Sequence, residues 1–391
     1  MATHGILFVD DDSILLEFYK MLGTYLGADY EILCADGGGQ ALELLATHSV
    51  DMVVSDLMMA DMSGQELMTQ LIRRYPEPIR CVVSGHVDQL KIAQSLMFAH
   101  RYFQKPLSLK PFCAALKRMC ELRRLVSSPK IKPIVCGFSA LPTPPETYRR
   151  LDAVLGMATT SIDDVAEIVM EDAALCLKVL RIVNSAEFGV ARRITTPAEA
   201  VQILGVEILR SLMLSVQAFK FYESAQPRSL SMTQLWNHSL KVALAARKLA
   251  RFEKLPLEQS EESFVAGLFH DIGKLVLAAN ADAEYLAGMK RVRAEGISVV
   301  QMEHEIFGAT HADIGAYLLG LWGLPDSVIE AVELHHSLEL AQEKSFSPLL
   351  AVHLAQCLDP ETSRIADLNR AYLKEIGLDE RIGEWQKVLA S

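Results

Sequence analysis

No stretch of about 18 uncharged apolar residues occurs anywhere in the 391-residue chain, so a helix able to cross a bilayer is not expected. The first apolar run meets three aspartates at positions 10–12, so no secretion signal is expected either, and the chain is expected in the cytoplasm with no membrane partner. Basic residues are in deficit in both halves: 12 against 15 acidic over 1–125, and 26 against 34 beyond, for a net charge of -11. Neither half carries the basic field that binding to a polyphosphate backbone requires, which excludes nucleic acid as an expected partner. The seven cysteines are scattered and never form a CxxC pair, so reduced, mostly buried thiols are expected instead of a disulfide framework. Low-complexity tracts and internal repeats are also missing. Half of the residues are hydrophobic and 22% are charged, an ordinary globular balance.

What is present is enough chain for two or three folding units. From position 5, short β-rich runs (GILFV, YEILCA, MVVS, RCVVS, RYF) alternate with helical-period segments at 13–26, 40–47, 65–74, 89–97 and 109–125. Parallel neighbours need helical crossovers, so this alternation predicts a doubly wound, five-stranded parallel α/β sheet. Residues 127–145 hold five prolines and a cluster of Ser, Thr and Gly, which marks a domain boundary. Beyond it the pattern is helical, with Ser161 as a cap before IDDVAEIV and breaks at Gly189, Pro197 and Pro256. The organisation expected is a sheet domain over 1–125, a linker over 126–140, an all-helical domain over 141–340 and a helical extension over 341–391. That extension, with Trp385 near its end, could pack on the helical core or bind another molecule.

Ligands on such a sheet sit beyond the carboxyl ends of its strands. Asp10 and Asp11 end the first strand and Asp56 ends the third, so three carboxylates crowd one edge and would repel without a cation. Mg²⁺ suits an all-oxygen site, which the backbone carbonyl of Met58 could complete. Ser84 ends the fourth strand and Lys105 follows the fifth, placing a hydroxyl and an ammonium where they could hold phosphoryl oxygens. A lone Asp after a strand is ordinarily a cap or a loop solvator; five polar groups at four strand ends are not explained that way. ILFVDDD, VVSDLMMADMSG, VVSGH and YFQKPLS, in order over about 120 residues, resemble the receiver domain of two-component response regulators, a flavodoxin-like fold. The resemblance implies that Asp56 accepts a phosphoryl group from a histidine kinase or phosphotransfer protein, with Asp11 and Asp56 as direct Mg²⁺ ligands and Asp10 supporting. It makes Ser84 and Tyr102 the switch pair, Tyr102 rotating inward, and Lys105 the phosphate contact before a cis bond to Pro106. Ala60 departs from the family's usual proline, which predicts a looser turn.

Most of the eleven histidines lie in the second half, in WNHS (His238), GLFHDIGK (His270, Asp271), MEHEIFGATHADIG (His304, His311) and ELHHS (His335, His336). Imidazoles joined by a carboxylate form a ligand set for Zn, Mn or Fe, and Lys274, one turn after His270, could contact a phosphate. These motifs resemble the HD superfamily of metal-dependent phosphohydrolases. LPTPPE, MEDAALCLKVLRIVNSAEFG, AVQILGVEILRSL, LWNHS, AGLFHDIGKLVL and FGATHADIGAYLLGLWGLP follow the pattern of its HDOD relatives over roughly 138–340. That resemblance implies a signalling output module, in which His238, His270, Asp271, His311, His335 and His336 stand where hydrolase relatives place ligands. The segment from HADIG to HH resembles the HD-GYP phosphodiesterases, but their GYP signature is missing and Gln356 occupies the place of the closing aspartate; His353, one turn earlier, is a candidate substitute. Asn184 and Ser185 of NSAEFG read as a helix terminus before a Gly189 turn.

The primary expectation is therefore a phosphorylation-gated interaction protein. Its receiver state controls which downstream signalling protein the HDOD surface binds, or whether the chain forms a homodimer. A receiver-gated phosphohydrolase acting on a nucleotide or cyclic dinucleotide, and a sensor that binds a nucleotide without cleaving it, are the alternatives.

Overall fold

A computed structural model of the chain describes residues 4–85, 98–136, 150–151, 154–155, 161–184, 194–214, 229–341, 343–358 and 367–390. Five parallel strands, β1 (His4–Val9), β2 (Tyr30–Ala35), β3 (Met52–Asp56), β4 (Ile79–Ser84) and β5 (Arg101–Gln104), stand in the order β2-β1-β3-β4-β5. Around them lie α1 (Ser13–Leu26), α2 (Gly38–Thr47), α3 (Gly64–Arg74) and α4 (Leu109–Leu122). This is the doubly wound sheet expected; its central strands are buried runs such as Ile6–Val9 and Cys81–Val83, covered on both faces as parallel strands require. The helix expected at 89–97 lies outside the described residues. Helix α2 begins two residues earlier than its periodicity suggests, because the Asp61 carboxylate reaches over to accept from Gly38 N and Gly39 N at 3.2 and 3.0 Å. Those amides hold the Asp61 carboxyl below the usual range. Ser63 and Glu66 start α3 with a reciprocal capping box.

The described part of the linker, up to Cys136, is docked rather than loose. Helix α4 runs into a 3-10 turn (Arg123–Val126) and a short α5 (Lys132–Cys136), with Val126, Ile131 and Val135 all buried. Arg123 ties this segment back to Asp51, and Lys132 to Glu77. On the other side Ser128 Oγ and Lys130 Nζ donate to the carbonyls of Phe307 and Ile306. The proline-rich composition that signals a boundary therefore also covers a seam between the halves.

The described residues of the C-terminal half form helices joined by turns and loops: α6 (Ile162–Met170), α7 (Ala173–Val183), α8 (Pro197–Leu214), α9 (Met232–Phe252), α10 (Leu257–Phe269), α11 (Ile272–Asn280) and α12 (Asp282–Glu295). The series continues with α13 (Val299–Phe307), α14 (His311–Leu321), α15 (Asp326–Leu334), α16 (Pro348–Cys357), α17 (Arg370–Glu375) and α18 (Ile382–Ala390). Ser161 caps α6 as expected, and Pro197 and Pro256 stand at helix starts. Asn184 ends α7 with its side chain paired to Ile194 N and O; Ser185 and Gly189 lie outside the described residues. Helix α16 is buried at every position, and Trp385 of α18 is fully buried with its indole N–H on Glu253. Of the two options for residues 341–391, these helices take the first and pack on the helical core. No single helix among the described residues is long and apolar enough to cross a membrane.

Two glycines set the position of α14. A Cβ at Gly273 would come within 2.1 Å of the His311 carbonyl, so α11 and α14 meet backbone to backbone and bring Asp271 beside His311. A Cβ at Gly320 would fall 2.3 Å from a methyl of Leu122, so α4 of the sheet domain seats a leucine in a notch at the other end of α14.

Candidate phospho-acceptor pocket and histidine cluster

The parallel register places the ends of β1, β3, β4 and β5 on one edge, and four of the expected residues gather there. Lys105 Nζ lies 2.8 Å from Asp10 Oδ2 and 2.5 Å from Asp56 Oδ2, so one ammonium joins the two carboxylates. Burial opposes charging Lys105, yet its hydrogen bonds to Asp10 and Asp56 raise its pKa. Asp10 is fully buried, also accepting from Asp12 N and Tyr19 Oη; burial and Asp10 push the Tyr19 hydroxyl well up, so it remains a donor. Ser84 is buried at the end of β4, and the Lys105–Pro106 bond is cis. Met58 exposes its side chain and donates its backbone N–H to Asp56 Oδ1 at 3.2 Å.

Asp11 is exposed at the rim, its Oδ2 accepting from Ala60 N at 3.0 Å. The departure from proline thus has an outcome different from the looser turn expected: an N–H that proline lacks ties the β3–α3 loop to Asp11. The donors at this edge are carboxylate oxygens, the type a hard cation such as Mg²⁺ takes, although here Lys105 occupies the space between Asp10 and Asp56. Tyr102 is buried, its hydroxyl 3.5 Å from the Ser84 carbonyl. It lines a cavity of about 290 Å³ shared with Phe112, Asn184, Trp322 and Gly323, so the expected switch residue looks directly onto the helical half.

The second site draws together the six candidate ligands His238, His270, Asp271, His311, His335 and His336, but not His304. Potential ligand atoms of His238, His270 and Asp271 lie within 4.8 Å of one another, as do those of His311, His335 and His336. Asp271 links the two groups: Oδ2 is 3.5 Å from His270 Nε2 and Oδ1 is 3.3 Å from His311 Nε2. His270 Nδ1 donates to the Gly267 carbonyl at 2.7 Å and His335 Nδ1 to the Val332 carbonyl at 2.8 Å. A carbonyl only accepts, so in both rings Nε2 carries the lone pair, and both Nε2 atoms are buried with no hydrogen-bond partner. Burial pushes the His270 pKa down to about 4, and burial and His336 push His335 well down, so both stay neutral. Burial alone would raise the Asp271 carboxyl, but His270 and the Lys274 ammonium at 2.7 Å hold it well below the usual range. Unpartnered, buried imidazole nitrogens converging on an ionised carboxylate fit a borderline transition-metal cation by donor type and tautomer.

Lys274, expected as a phosphate contact, lies on Asp271. His304 is exposed on α13. His353 does not stand in for the missing aspartate: its Nδ1–H goes to the His335 carbonyl at 2.8 Å and its Nε2 accepts from Asn369 N at 3.2 Å, so both ring nitrogens are engaged in packing α16. Gln356 is 2% exposed.

Sequence reasoning missed Glu303. It is fully buried on α13, accepting from His311 N at 2.8 Å, His311 Nδ1 at 2.6 Å and Tyr285 Oη at 3.0 Å. Burial would raise its carboxyl, yet His311 keeps it below the usual value. A signal was available: Glu303 falls between Met302 and Phe307 on the buried face of α13, where an acid is unusual.

Comparison with known proteins assigns a family to each half of the chain. The model of the response regulator receiver domain matches residues 6–117, and that of the HDOD domain matches residues 141–338, half of the chain. An uncharacterized protein of Treponema pallidum (strain Nichols) is 29% identical over 214 residues, 54% of this chain and 40% of the relative. Transcriptional regulatory protein YvrH of Bacillus subtilis (strain 168) is 31% identical over 129 residues, 33% of this chain and 53% of the relative. The chain thus spans about half or less of the length of these curated relatives. Among solved structures, the MmoQ response regulator of Methylococcus capsulatus superposes with a TM-score of 0.49 at 23% identity, covering 64% of this chain and 98% of that one. The chain belongs to the HDOD family, and it carries its HDOD domain behind a response regulator receiver domain.

Proposed function

We propose that this protein is a phosphorylation-controlled response regulator in which Asp56 accepts a phosphoryl group and the state of the receiver controls the interactions of the HDOD domain with a downstream signalling protein. The observation that carries this reading is the Asp10–Lys105–Asp56 arrangement at the carboxyl edge of the sheet. An Asp56 oxygen attacks the phosphorus of a partner's phosphohistidine, the P–N bond breaks, and the imidazole nitrogen retains the electron pair. Such a transfer depends on positioning and charge, and Lys105 and Ser84 contact the incoming oxygens. Asp10, Asp11, Asp56 and the Met58 carbonyl would hold Mg²⁺, which supplies positive charge against the phosphoryl oxygens.

A stripe on α1 supports delivery by a helical partner such as a histidine kinase or phosphotransfer protein. Ile14, Met21 and Tyr25 are 78, 61 and 55% exposed and, with half-buried Phe18, recur at helical spacing from the rim of the acidic pocket outward. In the HDOD domain, His238, His270, Asp271, His311, His335 and His336 would hold Zn, Mn or Fe. Gln356, a neutral amide in place of the closing carboxylate, supports a ligand-sensing or structural centre over hydrolysis.

The test is phosphoryl uptake by the full-length chain from acetyl phosphate with Mg²⁺, read by phosphate-affinity electrophoresis. Wild type should shift and Asp56→Asn should not; an unshifted wild type, or a shifted variant, rejects the acceptor assignment.

A further inference from the structure

The two other imidazoles buried at the heart of the cluster, His270 and His335, donate Nδ1–H to carbonyls of their own helices, three residues back. His311 cannot do the same, because it opens α14 and has no preceding turn beneath it. A carboxylate from a different helix takes that role. Glu303 Oε2 accepts from both the backbone N–H and Nδ1 of His311, while Glu303 Oε1 accepts from Tyr285 Oη. The His311 ring is thereby turned so that Nε2 lies 3.3 Å from Asp271 Oδ1 and 3.2 Å from His336 Nε2. Burying a carboxylate in an apolar helix face opposes folding unless several donors meet it, and here all the donors come from His311 and one tyrosine.

We infer that Glu303 is a positioning residue for the histidine cluster: it fixes His311 as the Nδ1–H tautomer and aims its Nε2 lone pair between Asp271 and His336, so that a transition metal is bound through His311 Nε2. The inference rests on the reading of the cluster as a metal centre. An outer carboxylate of this kind changes metal affinity by about 10- to 100-fold where it has been removed from other sites.

The experiment uses the untagged full-length chain and Zn²⁺ as the probe. Zn²⁺ affinity is measured by competition with a chelator for wild type, Glu303→Leu, His311→Ala and the double variant. The imidazole tautomer of His311 is read in metal-free protein at pH 8 by nitrogen–proton NMR of histidine-labelled samples. Expected are a His311 ring protonated on Nδ1 with Nε2 bare in wild type, loss of that preference in Glu303→Leu, which leaves no acceptor at 303, and Zn²⁺ binding weaker by about 10- to 100-fold in Glu303→Leu. The double variant should bind no more weakly than His311→Ala alone. Wild-type protein that takes up no Zn²⁺ rejects the metal reading, while the tautomer measurement still decides whether Glu303 sets the ring. Unchanged affinity and tautomer in a folded Glu303→Leu overturn the inference, as does a further tenfold loss when Glu303→Leu is added to His311→Ala.

Discussion

Gly320→Ala probes the seam between the two domains most directly. The added methyl would stand 2.3 Å from Leu122 Cδ1, more than 1 Å inside ordinary carbon contact, with the rest of the isobutyl group at 3.3–3.4 Å. Overpacking of that kind costs about 1–3 kcal/mol, offset by at most about 1 kcal/mol from replacing a helical glycine with alanine. Leu122→Ala empties a buried site and should cost about 2–5 kcal/mol. In the double variant the new methyl at 320 moves into space that the leucine has vacated, so the clash disappears and part of the cavity is filled. The double variant should therefore be more stable than the sum of the two singles by at least about 1.5 kcal/mol. Urea unfolding of the full-length chain, followed by circular dichroism for all four proteins, measures the coupling. Additivity within about 0.5 kcal/mol would refute a direct Leu122–Gly320 contact and the seam built around it.

Three further outcomes are expected. Ala60→Pro removes the N–H that holds Asp11, so calorimetric Mg²⁺ affinity should rise by about fivefold, the equivalent of one partly solvated hydrogen bond of about 1 kcal/mol; an unchanged affinity would show that this bond does not compete with the cation. Met21→Asp should slow phosphoryl uptake from a cognate kinase by at least about tenfold, using roughly 1.4 kcal/mol of lost apolar contact, while leaving uptake from acetyl phosphate unchanged. Equal slowing with both donors would place the defect in the pocket instead of on α1. Burial lowers the His353 pKa, and its Nε2 must stay unprotonated to accept from Asn369. Its contribution to stability is full above its unfolded pKa of about 6.5 and is lost as pH falls through the lower folded value. His353→Gln should therefore flatten the decline in the urea midpoint between pH 7.5 and 5, and an unaltered slope would contradict the neutral assignment.

The strands were legible because a parallel sheet buries both faces, which leaves unbroken apolar runs such as GILFV and RCVVS ending in the polar residues that do the chemistry. The six-residue cluster was legible for a different reason: its members sit in motifs whose spacing survives in one sequence. Glu303 was legible only through helical spacing, one turn before buried Phe307, because composition alone does not tell the buried acid of MEHE from exposed His304 and Glu305. The packing role of His353 depends on Asn369, sixteen residues away, and on a carbonyl of α15's C-cap. Docking of 123–136 was equally opaque, since prolines that break periodicity do not reveal that Ile131 and Val135 between them are buried. The reach of Asp61 to α2 likewise needs the loop after β3 in place.

The docked linker limits how this protein can be cut or recombined. A fragment beginning at residue 141, where the HDOD match starts, would leave behind Leu122, Val126, Ile131 and Val135 and bare the surface they cover. Such a fragment should be sticky, and an output domain made for study on its own ought to begin before α4's last turn. For the same reason a receiver transplanted from another regulator would not act as an interchangeable cassette: unless it brought a leucine to the position facing Gly320, it would leave the notch in α14 unfilled.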